Sequence, residues 1–257
     1  MLVVFSDLDG TLLDHETYDF SAARPALDLL ARRGIPLVLA SSKTEAEMRP
    51  LAASIGIDHP MIVENGAGVA NLGAASEETN HYDSLRALVE GLPQPLRGLF
   101  SGFGDWSAEQ VSERTGLSLD AARLAKQRRF SEPGLFSGTD AQREAFLQAI
   151  EDAGYKAAQG GRFLTLMPQT SKAERMREVV AYLSKGRDGP VRTVALGDAP
   201  NDLDMLQAAD IGVIIANPAH APLPVTRAER EGAILRSDLP GPSGWNQSIL
   251  DLVDAGF

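Results

Sequence analysis

Two carboxylates one residue apart, Asp7 and Asp9, close the segment Leu2-Val3-Val4-Phe5-Ser6-Asp7-Leu8-Asp9-Gly10-Thr11. The apolar run before them has strand character, and in a strand positions i and i+2 share a face. Asp7 and Asp9 would therefore project together from a strand's end. Their mutual repulsion is about 1 kcal/mol in water and several times that near a protein surface. A cation held between them would relieve it, which suggests Mg²⁺ on oxygen donors and, through it, a phosphate. Asp-x-Asp-Gly alone reads equally as a turn, since Asp and Gly favour turns. A calcium loop does not fit. Aligning Asp7, Asp9, Gly10 and Glu16 with its third, fifth, sixth and twelfth positions puts Phe5 where the first oxygen ligand belongs.

Ligands of open parallel sheets lie at the carboxyl ends of strands. The strand Leu37–Ala40 runs into Ser41-Ser42-Lys43-Thr44, two hydroxyls, a cation and a helix start that together could receive an anion. An ordinary Ser/Thr helix cap is the alternative. The strand Val191–Leu196 ends in Gly197-Asp198-Ala199-Pro200-Asn201-Asp202. Asp198 could complete an oxygen-only Mg²⁺ shell, with Asp202 and Asn201 orienting it, although Asp202 is also a candidate helix cap. Lys172 precedes a helix, and an ammonium within about 4 Å of a phosphoryl group contributes a few kcal/mol. A lone lysine is more often a solvent-exposed charge, and only its place in the series singles it out.

The elements that must position these groups alternate. Strand Leu2–Phe5, a helix over 22–33, strand Ile35–Ala40, a helix over 45–55 and strand Met61–Val63 make a βαβαβ series. A helix over 173–184, strand 191–196, a helix over 202–209 and strand 211–216 resume it. The fold class is α/β: a Rossmann-like parallel sheet with helices on both faces. Over 81–165 the texture changes to helices (84–92, 108–115, 118–127, 140–153) mixed with short strands (97–100, 155–158, 163–167). The expected division is a core of residues 1–80 and 166–257 with an inserted α+β module of residues 81–165.

The chain has 257 residues, 44% of them hydrophobic and 23% charged, as in ordinary globular proteins. A net charge of −11 argues against a nucleic-acid binder and against an anionic membrane surface. Without cysteine there is no disulfide, zinc-thiolate or thiol chemistry. No basic leader precedes the first strand and no apolar run is long enough to span a bilayer, so a cytoplasmic protein is expected.

The motifs Asp7-Leu8-Asp9-Gly10-Thr11, Ser41, Lys172 and Gly197–Asp202 make the chain similar to the haloacid dehalogenase-like superfamily of phosphohydrolases, with the inserted module resembling its larger substrate-selecting caps. More narrowly it resembles the mannosyl-3-phosphoglycerate phosphatases. That likeness is carried by Ser41–Thr44, Arg129-Phe130-Ser131-Glu132-Pro133, Gly160-Gly161-Arg162-Phe163 and Pro240-Gly241-Pro242-Ser243-Gly244-Trp245-Asn246. Two positions depart from the subfamily: Thr165 stands where it usually has histidine, and Ala173 where glycine usually follows the lysine.

The resemblance implies hydrolysis of a phosphomonoester, mannosyl-3-phosphoglycerate in the first place, by nucleophilic attack of Asp7. Asp9 serves as acid and base, and Ser41 and Lys172 as holders of the phosphate. Mg²⁺ would be the cofactor, with Asp7, Asp9 (through its carbonyl), Asp198 and Asp202 as the metal set. Ser42, Lys43, Thr44, Arg129, Ser131, Arg162 and Asn201 are the substrate-binding candidates, for a small phosphorylated sugar derivative bearing a carboxylate. Arginine suits that carboxylate because its fork is bidentate, although Lys126, Gln127, Arg128 and Arg129 also read as a solvated helix end. Neither nucleic acid nor membrane is a partner on this reading, and a homodimer is left open. The alternatives are a phosphatase for glucosyl-3-phosphoglycerate or another phosphosugar, a phosphosugar mutase or phosphotransferase, and a signalling receiver domain. The last is about half this length and lacks the Gly-Asp-x-x-Asn-Asp turn. His15, His59, His81 and His220 match no motif.

Overall fold

The computed structural model describes residues 1–73, 81–160 and 162–257. In chain order the elements are β1 (Leu2–Ser6), α1 (Arg24–Arg33), β2 (Leu37–Leu39), α2 (Glu45–Ile55), β3 (Met61–Val63) and β4 (Gly68–Ala70). Next come α3 (His81–Gly91), α4 (Gln94–Arg97), β5 (Phe100–Gly102), α5 (Ala108–Thr115), α6 (Leu119–Ala125) and β6 (Glu132–Phe136). They are followed by α7 (Asp140–Asp152), β7 (Tyr155–Gly160), β8 (Phe163–Pro168), α8 (Lys172–Leu183) and β9 (Arg192–Gly197). The chain closes with α9 (Leu203–Ala208), β10 (Ile211–Ala216), α10 (Arg227–Arg230), β11 (Ile234–Pro240) and α11 (Gly241–Asp254).

Two compact units result. One comprises Met1–Ser41, Ala52–Gly73 and Ser171–Phe257; the other comprises Ser42–Leu51 and Ala74–Thr170. The expected edges at 80/81 and 165/166 differ from these, and the first touches residues 74–80, outside the described residues. At the second, β8 pairs along its whole length with β7, so residues 166–168 stay with the second unit.

The first unit is a parallel sheet in the order β11-β10-β9-β1-β2. β1 lies between β9 and β2, with Val4 opposite both Val194 and Leu37. Val3, Val4 and Phe5 are fully buried, as a strand covered on both faces requires. Because the chain goes from β1 to β2 on one side and returns to β9 on the other, the strand order reverses at β1. Crevices that hold ligands form at such reversals. β3 is not a ladder strand of this sheet; it pairs antiparallel with β4 and touches β2 by the single bridge Ala40–Ile62. Among the described residues no helix is long and apolar enough to cross a membrane.

The second unit contains an antiparallel sheet in the order β5-β6-β8-β7. Its core gathers Leu85 and Val89 of α3, Phe146 and Ile150 of α7, and Phe100, Leu164 and Leu166 from the sheet. Three features went unread in the sequence. Residues 97–100 were expected as a strand, but Pro95 in the first turn starts the helical turn α4 and β5 begins only at Phe100. β6 carries the strand-breaking pair Pro133-Gly134, and Gly134 is needed there because a Cβ would sit 2.3 Å from the Phe100 ring. β11 and α11 were likewise not anticipated, since Pro240-Gly241-Pro242-Ser243-Gly244 looks like a loop. Pro242 is tolerated in the first helical turn, and Gly244 lets the helix pass the Leu239 carbonyl, which a Cβ would meet at 1.9 Å.

Candidate active site

The first unit brings Asp7, Ser41, Lys172, Asp198 and Asp202 to the carboxyl ends of three adjacent strands. Asp7 leaves β1 with its N–H donating to the Leu196 carbonyl of β9 at 2.9 Å, and Ser41 follows β2, nearly fully buried. Lys172 opens α8, whose N-cap Ser171 accepts the Glu174 N–H. Its ammonium is 1% exposed and donates to Asp7 Oδ1 at 2.7 Å, Asp202 Oδ1 at 2.6 Å and the Ala40 carbonyl at 3.0 Å. All three protons are therefore placed. Burial alone would pull this lysine's pKa down, but the carboxylates of Asp202 and Asp7 outweigh it and the ammonium stays charged.

Asp202 supports the turn after β9: its Oδ2 accepts the N–H groups of Asp198 at 3.2 Å and Ala199 at 3.1 Å. Both of its oxygens are thus committed, one to Lys172 and one to the backbone. Asp198 accepts the Thr11 hydroxyl on Oδ1 at 2.8 Å and the Asn217 amide on Oδ2 at 2.8 Å. His220 Nε2 also reaches Oδ2, at 2.9 Å, and this contact lifts the histidine's pKa above its ordinary value.

The carboxylates of Asp7, Asp198 and Asp202 are buried and offer oxygens within 4.8 Å of one another. Facing these three carboxylates, among the described residues, are the Lys172 ammonium and, where it is protonated, the His220 imidazole. In the ion-free protein burial, then Asp202, push the Asp7 carboxyl up, against the pull of Lys172. A buried, all-oxygen cluster with excess negative charge is the donor set that suits a hard divalent ion, so these residues fit Mg²⁺. The Asp9 carboxylate is not in the cluster.

Other supports went unforeseen. The segment after β3 carries Glu64, Asn65 and Gly66 all at positive φ (52°, 59° and 83°). Asn65 N–H donates to the Ser41 carbonyl, and Asn65 Oδ1 accepts from Asn201 Nδ2 at 3.2 Å. Such clusters of backbone strain mark functional sites; the sequence signal was the Asn65-Gly66 pair after a strand. Gly66→Ala would put a Cβ 2.4 Å from the backbone nitrogen of Lys172. It is expected to destabilise the protein by about 3 kcal/mol or more, as a lower melting temperature. Trp245 of the terminal motif is fully buried and donates to Ser6 Oγ at 2.9 Å, which in turn donates to the Asp7 carbonyl at 2.7 Å. That motif therefore supports β1 from behind.

The description "haloacid dehalogenase-like hydrolase" belongs to the family whose model matches residues 4–90 and 134–223. The chain belongs to this family. Two relatives, from Methanococcoides burtonii and Persephonella marina, are each called glucosyl-3-phosphoglycerate/mannosyl-3-phosphoglycerate phosphatase. The first is 34% identical, covering 98% of this chain and 97% of its own, and the second is 35% identical, covering 96% of each. Among solved structures the subclass IIB sugar phosphatase BT4131 superposes with a TM-score of 0.63 at 17% identity, over 100% of this chain and 99% of its own.

Within this haloacid dehalogenase-like chain, the remaining expected site residues lie in the second unit. Thr44 proves to be a helix cap: its Oγ1 accepts the Glu47 N–H at 3.2 Å and its own N–H donates to Glu47 Oε2 at 2.8 Å. Its hydroxyl also lies 3.0 Å from the Leu124 carbonyl. That buried hydroxyl is engaged in local structure. Ser42 is exposed and Lys43 half-buried. Arg129 pairs with Glu45 at 2.9 Å and keeps 42% of its side chain exposed. Ser131 is fully buried, its Oγ accepting from Arg128, which also donates to the Ser42 carbonyl. Arg128, expected as part of a solvated helix end, thus clips two candidate segments together. Arg162 donates to the Arg114 carbonyl at 2.7 Å, and its neighbour Gly161 lies outside the described residues. Thr165 sits in β8 between Pro133 and Ala158, and Ala173 is an ordinary interior residue of α8, where alanine is the better helix former.

Proposed function

We propose that this chain is a Mg²⁺-dependent phosphatase that acts through an aspartyl-phosphate on Asp7, and that its substrate is mannosyl-3-phosphoglycerate, with the glucosyl compound as the near alternative. The observation that carries the reading is the buried Lys172 ammonium shared by Asp7 and Asp202, with Asp198 in the same cluster. The names of the two relatives that match over nearly their whole length support the substrate class.

Asp7 would attack phosphorus in line, forming the Asp7 Oδ–P bond as the bond to the glycerate oxygen breaks. Asp9 gives its proton to the departing alkoxide. Its carboxylate then takes a proton from water as that water attacks the phosphoryl group and Asp7 is freed. Once Asp7 carries the phosphoryl group, the Lys172 proton now given to Asp7 Oδ1 would turn to a phosphoryl oxygen, with Ser41 beside it, while Asp202 keeps Lys172 and the Asp198 turn in place. When bound, Mg²⁺ on Asp7, Asp198 and the Asp9 carbonyl would neutralise charge between the substrate and the carboxylates.

Phosphate release from mannosyl-3-phosphoglycerate, glucosyl-3-phosphoglycerate and glucose 6-phosphate, with Mg²⁺ and with chelator, tests this. The glycosylglycerates are expected to exceed glucose 6-phosphate in kcat/KM by about a hundredfold or more, the worth of two charge-assisted contacts. Chelator should abolish release. Equal efficiency on all three would overturn the substrate, and phosphate passed to a second sugar rather than to water would favour a mutase.

In the second unit we assign Lys43 and Arg129 to the substrate's carboxylate, since both are cationic and neither is fully buried. Arg129→Ala is expected to raise KM for the phosphoglycerate about 10- to 100-fold. Turnover of p-nitrophenyl phosphate, which has no carboxylate, should stay within about twofold. A parallel fall with both substrates would remove Arg129 from this role.

A further inference from the structure

We propose that Asn217, on the segment that follows β10, is a positioning residue for Asp198 and sets the affinity of the carboxylate cluster for its divalent ion. Asn217 Nδ2 donates to Asp198 Oδ2 at 2.8 Å, on the opposite oxygen from the one that accepts the Thr11 hydroxyl. A carboxylate gripped at both oxygens cannot turn about its Cβ–Cγ bond. The amide is itself oriented, because Asn217 Oδ1 accepts the Ala219 N–H at 3.0 Å and leaves Nδ2 as the end facing Asp198. Gly10 is built around this contact. Its φ is +77°, and a Cβ there would lie 2.2 Å from Asn217 Nδ2 and 2.9 Å from Asp198 Oδ2. The turn that carries Asp9 thus slides directly over the Asn217–Asp198 hydrogen bond and keeps it dry on one side.

On the other side an open cleft of about 470 Å³, lined by Asn217, His220, Pro222, Leu223 and Arg236, adjoins Asp198. Shortening Asn217 therefore enlarges a wetted cleft rather than opening a sealed void, and the fold should scarcely notice. The ion should notice: Oδ2 would then keep only His220 Nε2, at 2.9 Å on a partly exposed side chain at the cleft, and a carboxylate held less firmly must be ordered when the ion binds. Losing one such outer partner typically costs 10- to 100-fold in metal affinity.

The inference rests on the Mg²⁺ reading above, and its test needs no substrate. The full chain and its Asn217→Ala and Asn217→Leu variants are titrated with MgCl2 alone, following the rise in melting temperature. Both variants are expected to need about tenfold more Mg²⁺, or beyond, for the half-maximal rise. Their ion-free melting temperatures should stay within about 2 °C of the parent, as for a surface-adjoining substitution. Midpoints within twofold of the parent overturn the proposal, as does an ion-free destabilisation equal to the whole loss of the Mg²⁺ effect. Absence of any Mg²⁺ shift in the unsubstituted chain undoes the metal reading itself; a shift that the variants share undoes only the role of Asn217.

Discussion

Lys172→Met is expected to lower stability by about 3–5 kcal/mol and to remove phosphatase activity by at least about a thousandfold. The methionine fills most of the same space, so the loss is electrostatic. Removing the ammonium leaves Asp7 and Asp202, 9% and 0% exposed at their side chains, facing each other without a counter-charge. Two buried like charges a few ångströms apart cannot both stay ionised at such low solvent access. The Ala40 carbonyl at the end of the β2 chain also loses its donor. Denaturant unfolding at neutral pH reads the stability, and a variant within 1 kcal/mol of the parent would show that the carboxylates are solvated after all. High Mg²⁺ should recover part of the stability, because a second cation can occupy the same field, but not the activity.

Asp7→Asn carries the other large effect, with the opposite sign on stability. Turnover is expected to fall by at least about 10⁵-fold, as when a nucleophile acting in a concerted set is removed. The ion-free protein should melt no lower than the parent, because one of three crowded carboxylates has been neutralised while Lys172 keeps Asp202. The Mg²⁺-induced rise in melting temperature should shrink or vanish. Residual turnover within about a hundredfold of the parent would exclude Asp7 as the attacking group. Trapping ³²P from labelled substrate on the protein, and losing that label in the variant, would place the covalent bond directly.

The strand-end carboxylates were legible because their spacing is local. Asp7 and Asp9 end an apolar strand, Asp198 and Asp202 follow another, and a parallel sheet puts strand ends on one rim. Lys172 and Ser41 were legible only as parts of that series, and their roles depend on α8 and β2 reaching the same rim. At Thr44 both uses of a hydroxyl at a helix start, anion contact and cap, were legible, and the structure shows the cap: Glu47 sits three residues on and supplies the reciprocal acceptor. β6 and α11 were hidden by Pro and Gly whose positions make sense only against a neighbour, the Phe100 ring in one case and the Leu239 carbonyl in the other.

From the residues alone came the α/β class, the family-like motif series and an acidic site that calls for a cation. These follow from periodicity and from short-range spacing, which a single chain displays without folding. Tertiary structure alone decided who holds whom: Lys172 between Asp7 and Asp202, Asn217 and His220 on Asp198, Asn65 bridging toward Asn201, and Trp245 behind Ser6. Each of those contacts joins segments far apart in the chain or hangs on the path of a loop, and their energies depend on burial that no local pattern encodes.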